Sequence, residues 1–398
     1  MAKIFSYIPS SYKSGTAYTA IPNDANADFD VTRASVANRI NQSGLIEEMS
    51  AGVPRVDYYL GGCPTLLKEP AATNYINWSS NFNQWEKYST GTGIAPVVTS
   101  DYGIAPNGQQ EADRVQFNTN SGGGDSLLRR SHDTGIDTRT GSLWVKSLSG
   151  NANVILDISN SSTTVHAVTT EWTRIDVQRT TASAGNLRAN IGTRASQASS
   201  DILDLLIWEC QVEIGSIPTS NIYTNGSVET READIITGAE ATFDSRQGVM
   251  NLRASFTRES NDTQSRMLNL SNGLITDRIE IFANVGSDST INIYLQNDAE
   301  IVSKVFNIDN TQENEYALKW GQDIVSFKIN GIEVLTNESF NTYTLNKLTE
   351  VNLADVSGAV NHLYGRVRHI NIFDTIDSYD SDFDTYNAMA TFAKYTIA

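Results

Sequence analysis

The sequence predicts an all-β protein: an extended N-terminal segment, two β-sandwich or jelly-roll domains, and a short C-terminal helix. Three observations carry this. Hydrophobic residues are 39% and charged residues 19% of the 398, with Ser, Thr and Asn abundant, a balance suited to half-buried strands and many turns rather than to a helical bundle. Short β-branched and aromatic runs recur at spacings near ten residues. Turn signals such as Asn107-Gly108, Gly122-Gly123-Gly124, Ser149-Gly150-Asn151 and Asn330-Gly331 separate them. A chain of this length holds about two to three domains.

Residues 1–76 alternate weakly through Ile4, Phe5, Tyr7 and Ile8, then break at Pro9-Ser10-Ser11. Pro and Gly keep interrupting the segment, so it is expected to lack a compact core of its own and to lie, as extended chain with short strands, on another surface. Residues 77–234 form the first sandwich, with strands at 112–117, 141–147, 153–158, 172–179, 187–191 and 203–212. Residues 235–398 form the second, with strands at 248–257, 278–285, 289–296, 301–307, 315–320, 324–329, 333–336 and 365–373. Asn330-Gly331 is the strongest hairpin signal, flanked by period-2 alternation from Phe327 to Val334. From Ser381 to Ala398, Phe383, Tyr386, Met389 and Ala390 or Phe392 recur at helical spacing and predict a terminal helix. Repeats of solenoid length are absent.

A net charge of −17 repels phosphate backbones and anionic lipids, which argues against nucleic-acid and membrane-surface partners. No apolar run of about 18 residues exists to span a bilayer. The N-terminus lacks the apolar stretch and cleavage site of a signal peptide, so synthesis in a cytoplasm without the usual export is expected. Cys63 and Cys210 lie far apart, and no disulfide is expected between them. With His132, His166, His362 and His369 scattered, no zinc site is expected.

No catalytic pattern emerges, and no enzyme and no cofactor are expected. Gly-x-Ser-x-Gly is absent. Glu209 and Glu213 are four apart; on a regular strand that is about 13 Å, beyond the roughly 5–9.5 Å that glycoside hydrolysis uses, so they are expected as turn and surface acids. Gly122-Gly123-Gly124 has no following Lys and is a turn, not a phosphate cradle.

Three stretches resemble a known family. Arg33-Ala34-Ser35-x-Ala37-x-Arg39-x-Asn41-x-x-Gly44-Leu45-Ile46-Glu47, Gly52-Val53-Pro54-Arg55-Val56-Asp57-Tyr58 and Gly62-Cys63-Pro64-x-Leu66-Leu67-x-Glu69-Pro70-x-x-Thr73-Asn74, within residues 33–75, are similar to a segment of phage structural proteins, tail-fibre-like ones especially. In that family a jelly roll like a carbohydrate-binding module follows, and Ser142-Leu143-Trp144-Val145-Lys146 looks like its interior strand. The close, from Ile207-Trp208-Glu209-Cys210-Gln211-Val212-Glu213 through Thr219-Ser220-Asn221-Ile222 to Thr230-Arg231-Glu232-Ala233-Asp234, resembles that family's W-G-x-Q-x-E-x-G…T-S-Y-I-x-T-x-G…T-R-x-A-D, departing at Glu209 and Asn221, where the pattern has Gly and Tyr. Gly365-Arg366-Val367-x-x-Ile370-x-Ile372-Phe373-Asp374 is similar to the closing strand of a concanavalin-like lectin sandwich.

The resemblance implies a non-enzymatic virion structural protein, such as a fibre, collar or head-surface component. Its partners would be other phage structural proteins, further copies of itself, and a host surface glycan. Residues 1–76 would be its anchor, with Arg33, Arg39, Pro54, Arg55, Pro64 and Pro70 as the motif. The alternative is an adhesin recognising host polysaccharide; a glycan-degrading enzyme is less favoured. No coiled-coil heptads are present, so any assembly would use sandwich faces or the N-terminal segment. Trp85, Tyr88 and Tyr102, in polar loop-like sequence, are the candidate glycan contacts, with packing as the competing explanation; Trp144 and Trp208 are expected in the core. Related jelly rolls often hold a calcium ion. Asp374, Asp377, Asp380, Asp382 and Asp384 are closely spaced but lack an EF-hand's glycine and terminal glutamate, and they are read as a solvated linker, with a structural calcium ion as the alternative.

Overall fold

The protein is described from a computed structural model covering residues 3–376 and Tyr379, apart from 14, 20–27, 60–61, 133–134, 136, 160–162, 181–186, 238, 241–243, 258–265 and 359. The chain is all-β and divides into two compact units. The expected C-terminal helix and Asp377, Asp380, Asp382 and Asp384 lie outside the described residues.

One unit comprises residues 71–231 with 45–47. It has two five-stranded sheets. The first runs Glu86–Ser89, Ser126–Ser131, Arg188–Thr193, Ala152–Asp157, Thr164–Val168, and the second Ile94–Ile104, Gln110–Asn118, Ile202–Ile214, Thr138–Ser147, Thr173–Thr180. Alternation sends Val115 and Phe117, Leu143 and Val145, Val154 and Leu156, and Leu203, Leu205 and Ile207 into a common core. The six strands read from the sequence are all present, with ends displaced by a few residues. Ile94–Ile104 was not foreseen. Its Ile94, Val97, Tyr102 and Ile104 are exposed and its pairing with Gln110–Asn118 shifts register repeatedly, so no clean period-2 signal exists. Gly122-Gly123-Gly124 is indeed a turn; a Cβ on Gly124 would fall 1.7 Å from the Thr90 carbonyl oxygen.

The other unit comprises residues 1–44, 48–70 and 232–398. Its larger sheet runs Ile332–Glu338, Ile324–Ile329, Asn314–Gly321, Gly248–Phe256, Gly365–Phe373, Thr65–Lys68, Arg55–Asp57, and Lys3–Tyr7 also pairs with Gly365–Phe373. A six-stranded sheet runs Ala239–Glu240, Glu350–Asn352, Arg266–Ser271, Asp277–Ala283, Thr290–Asn297, Glu300–Asn307. Asn330 and Gly331 have φ of 51° and 80° and close the predicted hairpin between Ile329 and Ile332. That is the backbone a type I′ turn demands, and why Asn-Gly forms it.

The segment read as a separate stretch, 1–76, is not separate in the fold. Its short strands are there, but the surface they lie on belongs to the same chain. Phe5, Tyr7, Phe29 and Leu66 join the core of the unit completed by residues 232–398, with the Tyr7 and Phe29 rings edge-to-face at 4.8 Å. A segment too broken by Pro and Gly to bury its own apolar groups completes an open sheet instead. The boundaries at 76 and 234 accordingly move to 70 and 231, and residues 71–231 interrupt the other unit.

Candidate functional site: an arginine-lined groove

Within the 71–231 unit, a cavity of about 610 Å³ is lined by Tyr75, Asn77, Glu86, Arg129, Arg130, Ser131, His132, Ser227 and Val228. Its floor comes from the strand Ser126–Ser131. Consecutive strand residues face opposite ways, so Arg129 and Arg130 diverge. Arg130 is held: Nε donates to Asn77 Oδ1 at 2.8 Å and Nη1 to the Gln84 carbonyl at 2.8 Å. Burial lowers its affinity for the proton. Arg129 lies over Tyr88, its guanidinium carbon 3.0 Å from the ring centroid. Its Nε is shielded from solvent and has no hydrogen-bond partner. In register, Arg129 faces Glu86 on one neighbouring strand and Asn190 on the other, and Ser131 faces Arg188. His132 Nε2 lies 3.1 Å from the Ile158 carbonyl, to which it can only donate. Tyr75 carries the Arg139 guanidinium 5.3 Å from its ring centroid. The Gly226 amide donates to the Asn77 carbonyl at 2.5 Å, and the next two residues, Ser227 and Val228, also line the cavity.

The three candidate glycan contacts are not brought together. Trp85 is a correction: it is 2% exposed, packs against Phe82 in the core and donates Nε1 to the Trp78 carbonyl at 2.9 Å. The polar sequence around it is the 3-10 turn Phe82–Gln84, which tucks the indole inward. Tyr88 is half-buried beneath Arg129. Tyr102 is 49% exposed on the edge strand, with Arg114 near its ring. Of the expected core pair, Trp208 is buried and Trp144 half-buried; with Leu206 and Trp172 they form a smaller cluster separate from the main core. Sequence reasoning missed Arg129, Arg130 and His132. The run Leu127-Leu128-Arg129-Arg130 was the available signal, a paired cation inside an apolar strand.

The expected anchor residues are mostly interior. Pro54, Arg55, Pro64, Pro70 and Arg33 are buried, and Arg39 is half-buried. Arg33 Nη1 donates to Asp234 Oδ1 at 2.8 Å, and Arg55 Nη1 to Glu69 Oε2 at 2.5 Å while Nη2 donates to Asp234 Oδ2. The Glu69 amide donates to Asp234 Oδ2 and the Asp234 amide to the Glu69 carbonyl. Burial opposes the charge on Arg55, but Asp234 and Glu69 outweigh it and move its pKa upward. Beside them, buried Lys68 donates to the Leu353 carbonyl at 2.7 Å and meets His362 Nδ1 at 3.1 Å; its pKa falls to about 7, mainly through burial.

Glu209 and Glu213 are not surface acids; they are 3% and 0% exposed. Glu213 accepts from the Thr219 amide and hydroxyl, both at 2.7 Å. Glu209 accepts from Ser80 Oγ at 2.7 Å through Oε1, while Oε2 has no partner. Both cysteines are free. Among the described residues no group of three or more His, Cys, Asp or Glu is placed to hold a metal ion; Asp374 is half-buried.

No protein-family model and no curated protein matches the chain. Among solved structures it is similar to the Ruminococcus gnavus IT-sialidase CBM40 (TM-score 0.29, 11% identity, 37% of this chain and 84% of that one). It is also similar to domains LG4-5 of the mouse laminin alpha1 chain (0.25, 10%, 62% and 84%). A third is the CBM22-1-CBM22-2 tandem of Paenibacillus barcinonensis Xyn10C (0.26, 10%, 77% and 98%). Superposition this loose settles neither a ligand nor a role for this chain.

Proposed function

We propose that the chain is a non-enzymatic β-sandwich protein that recognises a glycan through the groove of its 71–231 unit, as a fibre, collar or head-surface component of a phage particle. The observation that carries the glycan reading is the groove itself. It is concave, within the roughly 300–1,000 Å³ of small-molecule sites, and it sets Tyr75 beside side-chain donors at Asn77, Arg129, Ser131 and Ser227. Sugars need that mixture: an apolar ring face and several hydroxyls. The acids that could serve catalysis are occupied otherwise, Glu213 by Thr219 and Glu209 in a buried contact with Ser80. The particle assignment is supported by the resemblance of residues 33–75 to phage structural proteins; attachment to a host through the groove would make the adhesin and structural readings one.

The full chain applied to a printed array of bacterial surface glycans is expected to retain a restricted set. In immuno-electron microscopy of purified particles of the encoding phage, an antibody to the chain should label a fixed position. An array with no retained glycan defeats the recognition reading; unlabelled particles defeat the virion reading and leave recognition standing.

A further inference from the structure

We infer that the groove takes an anionic saccharide, with Arg129 as the residue that selects the charged group; this deepens, and rests on, the glycan reading above. The argument begins from how this chain treats its other arginines. Arg33 and Arg55 are paired with Asp234, Arg114 with Asp204, Arg194 with Asp125, and Arg253 and Arg368 with Glu313. In a chain with a net charge of −17, acids are plentiful and each of these arginines has one. Arg129 does not. It faces Glu86 in register, yet it forms neither a hydrogen bond nor an ion pair with a described residue. Its contact is the Tyr88 ring, and its Nε is shut off from water with nothing to donate to.

A guanidinium held over an aromatic ring keeps its N–H groups as the part that can donate. Those groups form a fork matched to two oxygens of one carboxylate or phosphate. The surroundings reinforce the choice. Arg130 lines the same groove, held in place by Asn77 and Gln84, and Arg188 stands opposite Ser131 on the adjoining strand. Among the described lining residues Glu86 is the one acid; it faces Arg129 in register, and its repulsion limits how tightly an anion is held there. A neutral sugar would leave Arg129 desolvated and unmatched, which is costly. An anion would turn the same desolvation into a strong, charge-assisted contact. The ligand chemistry is therefore a sugar chain bearing carboxylate or phosphate groups.

The test is calorimetry of the full chain with three probes: a galacturonic-acid trisaccharide, its methyl ester, and a glycerol-phosphate trimer. The acidic probes are run at low and high salt. The expected result is that an anionic probe binds at least tenfold tighter than the ester and weakens with salt. Arg129→Ala should lose about tenfold or more for the anion and nothing for the ester, and Arg129→Lys, which keeps the charge without the fork, should recover only part. Thermal melts of both variants establish that they fold. Preference for the trisaccharide or the phosphate trimer identifies carboxylate or phosphate as the charged group. If the ester binds as tightly as the acid, or Arg129→Ala leaves anion binding unchanged, the charge-selection inference is wrong while glycan recognition survives. If no probe binds and the glycan array is also blank, both fall.

Discussion

Glu209 combines three features that rarely coincide by accident. Its φ is +50°, a left-handed backbone that a residue other than glycine adopts at a cost. It sits at the register shift where Ser142 pairs with Gln211 but Trp144 with Trp208. There the core-facing positions move from Leu203, Leu205 and Ile207 to Cys210 and Val212, the mark of a β-bulge. Glycine, which the resembling proteins have here, suits such a bulge. The glutamate adds a buried carboxylate whose pKa is pushed up to about 7, first by burial, with Ser80 and Ser79 opposing. The folded state therefore keeps a proton that the unfolded chain releases near pH 4.5. The resulting penalty is absent below that pH, grows between about 4.5 and 7, and is complete above 7, reaching about 3 kcal/mol. Glu209→Gln should remove this dependence. Urea unfolding followed by tryptophan fluorescence, at pH 4.5 and 7.5, should show the variant gaining stability over the parent only at the higher pH. Parallel behaviour of the two proteins across that window would refute the assignment. Five of the six tryptophans lie in the 71–231 stretch, so the signal reports the right unit.

At the scale of elements, the residues around Asp234 tie distant strands together. Arg33 follows the strand Phe29–Thr32, Arg55 opens Arg55–Asp57, Glu69 follows Thr65–Lys68, and Asp234 precedes Ile235–Thr237. Breaking a buried ion group by deleting one member leaves its partners charged and unpaired, at about 3–5 kcal/mol. Asp234→Ala strands two arginines and should destabilise its unit by that amount, read as a lowered calorimetric transition; a shift under about 1 kcal/mol would mean that the cluster is dispensable. The arginines, Glu69 and Asp234 all stood inside sequence stretches that the resemblance singled out, but their partnership did not, because pairing across 201 positions leaves no local period. Strands whose large apolar residues alternate into the core, such as Gly248–Phe256 and Ile324–Ile329, were legible from that alternation. The groove was not. Its cations come from one strand, its walls from residues near 75 and 227, and only the fold brings them to one place. Trp85 shows the reverse error, where polar neighbours suggested a loop and a short 3-10 turn buried the ring.

At the scale of the whole molecule, the chain order is the informative feature. The chain passes from one unit to the other after Pro70 and returns at Glu232, with residues 45–47 also belonging to the inserted unit. Ala72–Asn74 pairs antiparallel with Glu229–Arg231, so the inserted unit begins and ends on neighbouring strands. The surrounding unit does the same, because the reciprocal backbone hydrogen bonds of Glu69 and Asp234 hold its two cut ends together. An insertion closed on both sides should be separable. A protein of residues 71–231 should fold alone, and a deletion joining Pro70 to Glu232 through a short glycine-serine link should fold without it. Removing residues 1–76 should fail, since it takes Phe5, Tyr7, Phe29 and Leu66 from the second core and leaves Asp234 without Arg33, Arg55 and Glu69. Calorimetry is expected to give one cooperative transition for each separated unit, with groove ligands shifting only that of 71–231. If the 71–231 protein melts without cooperativity while the 77–398 truncation folds normally, the nesting is wrong and the N-terminal residues are an appendage after all. If the nesting holds, loss of particle binding on truncating residues 1–76 cannot be credited to an anchor, because the same cut unfolds part of what would be displayed. Arg39→Ala, at a half-buried arginine outside the ion cluster that donates to the Val56 carbonyl at 2.9 Å, separates attachment from folding when its melting transition matches that of the parent.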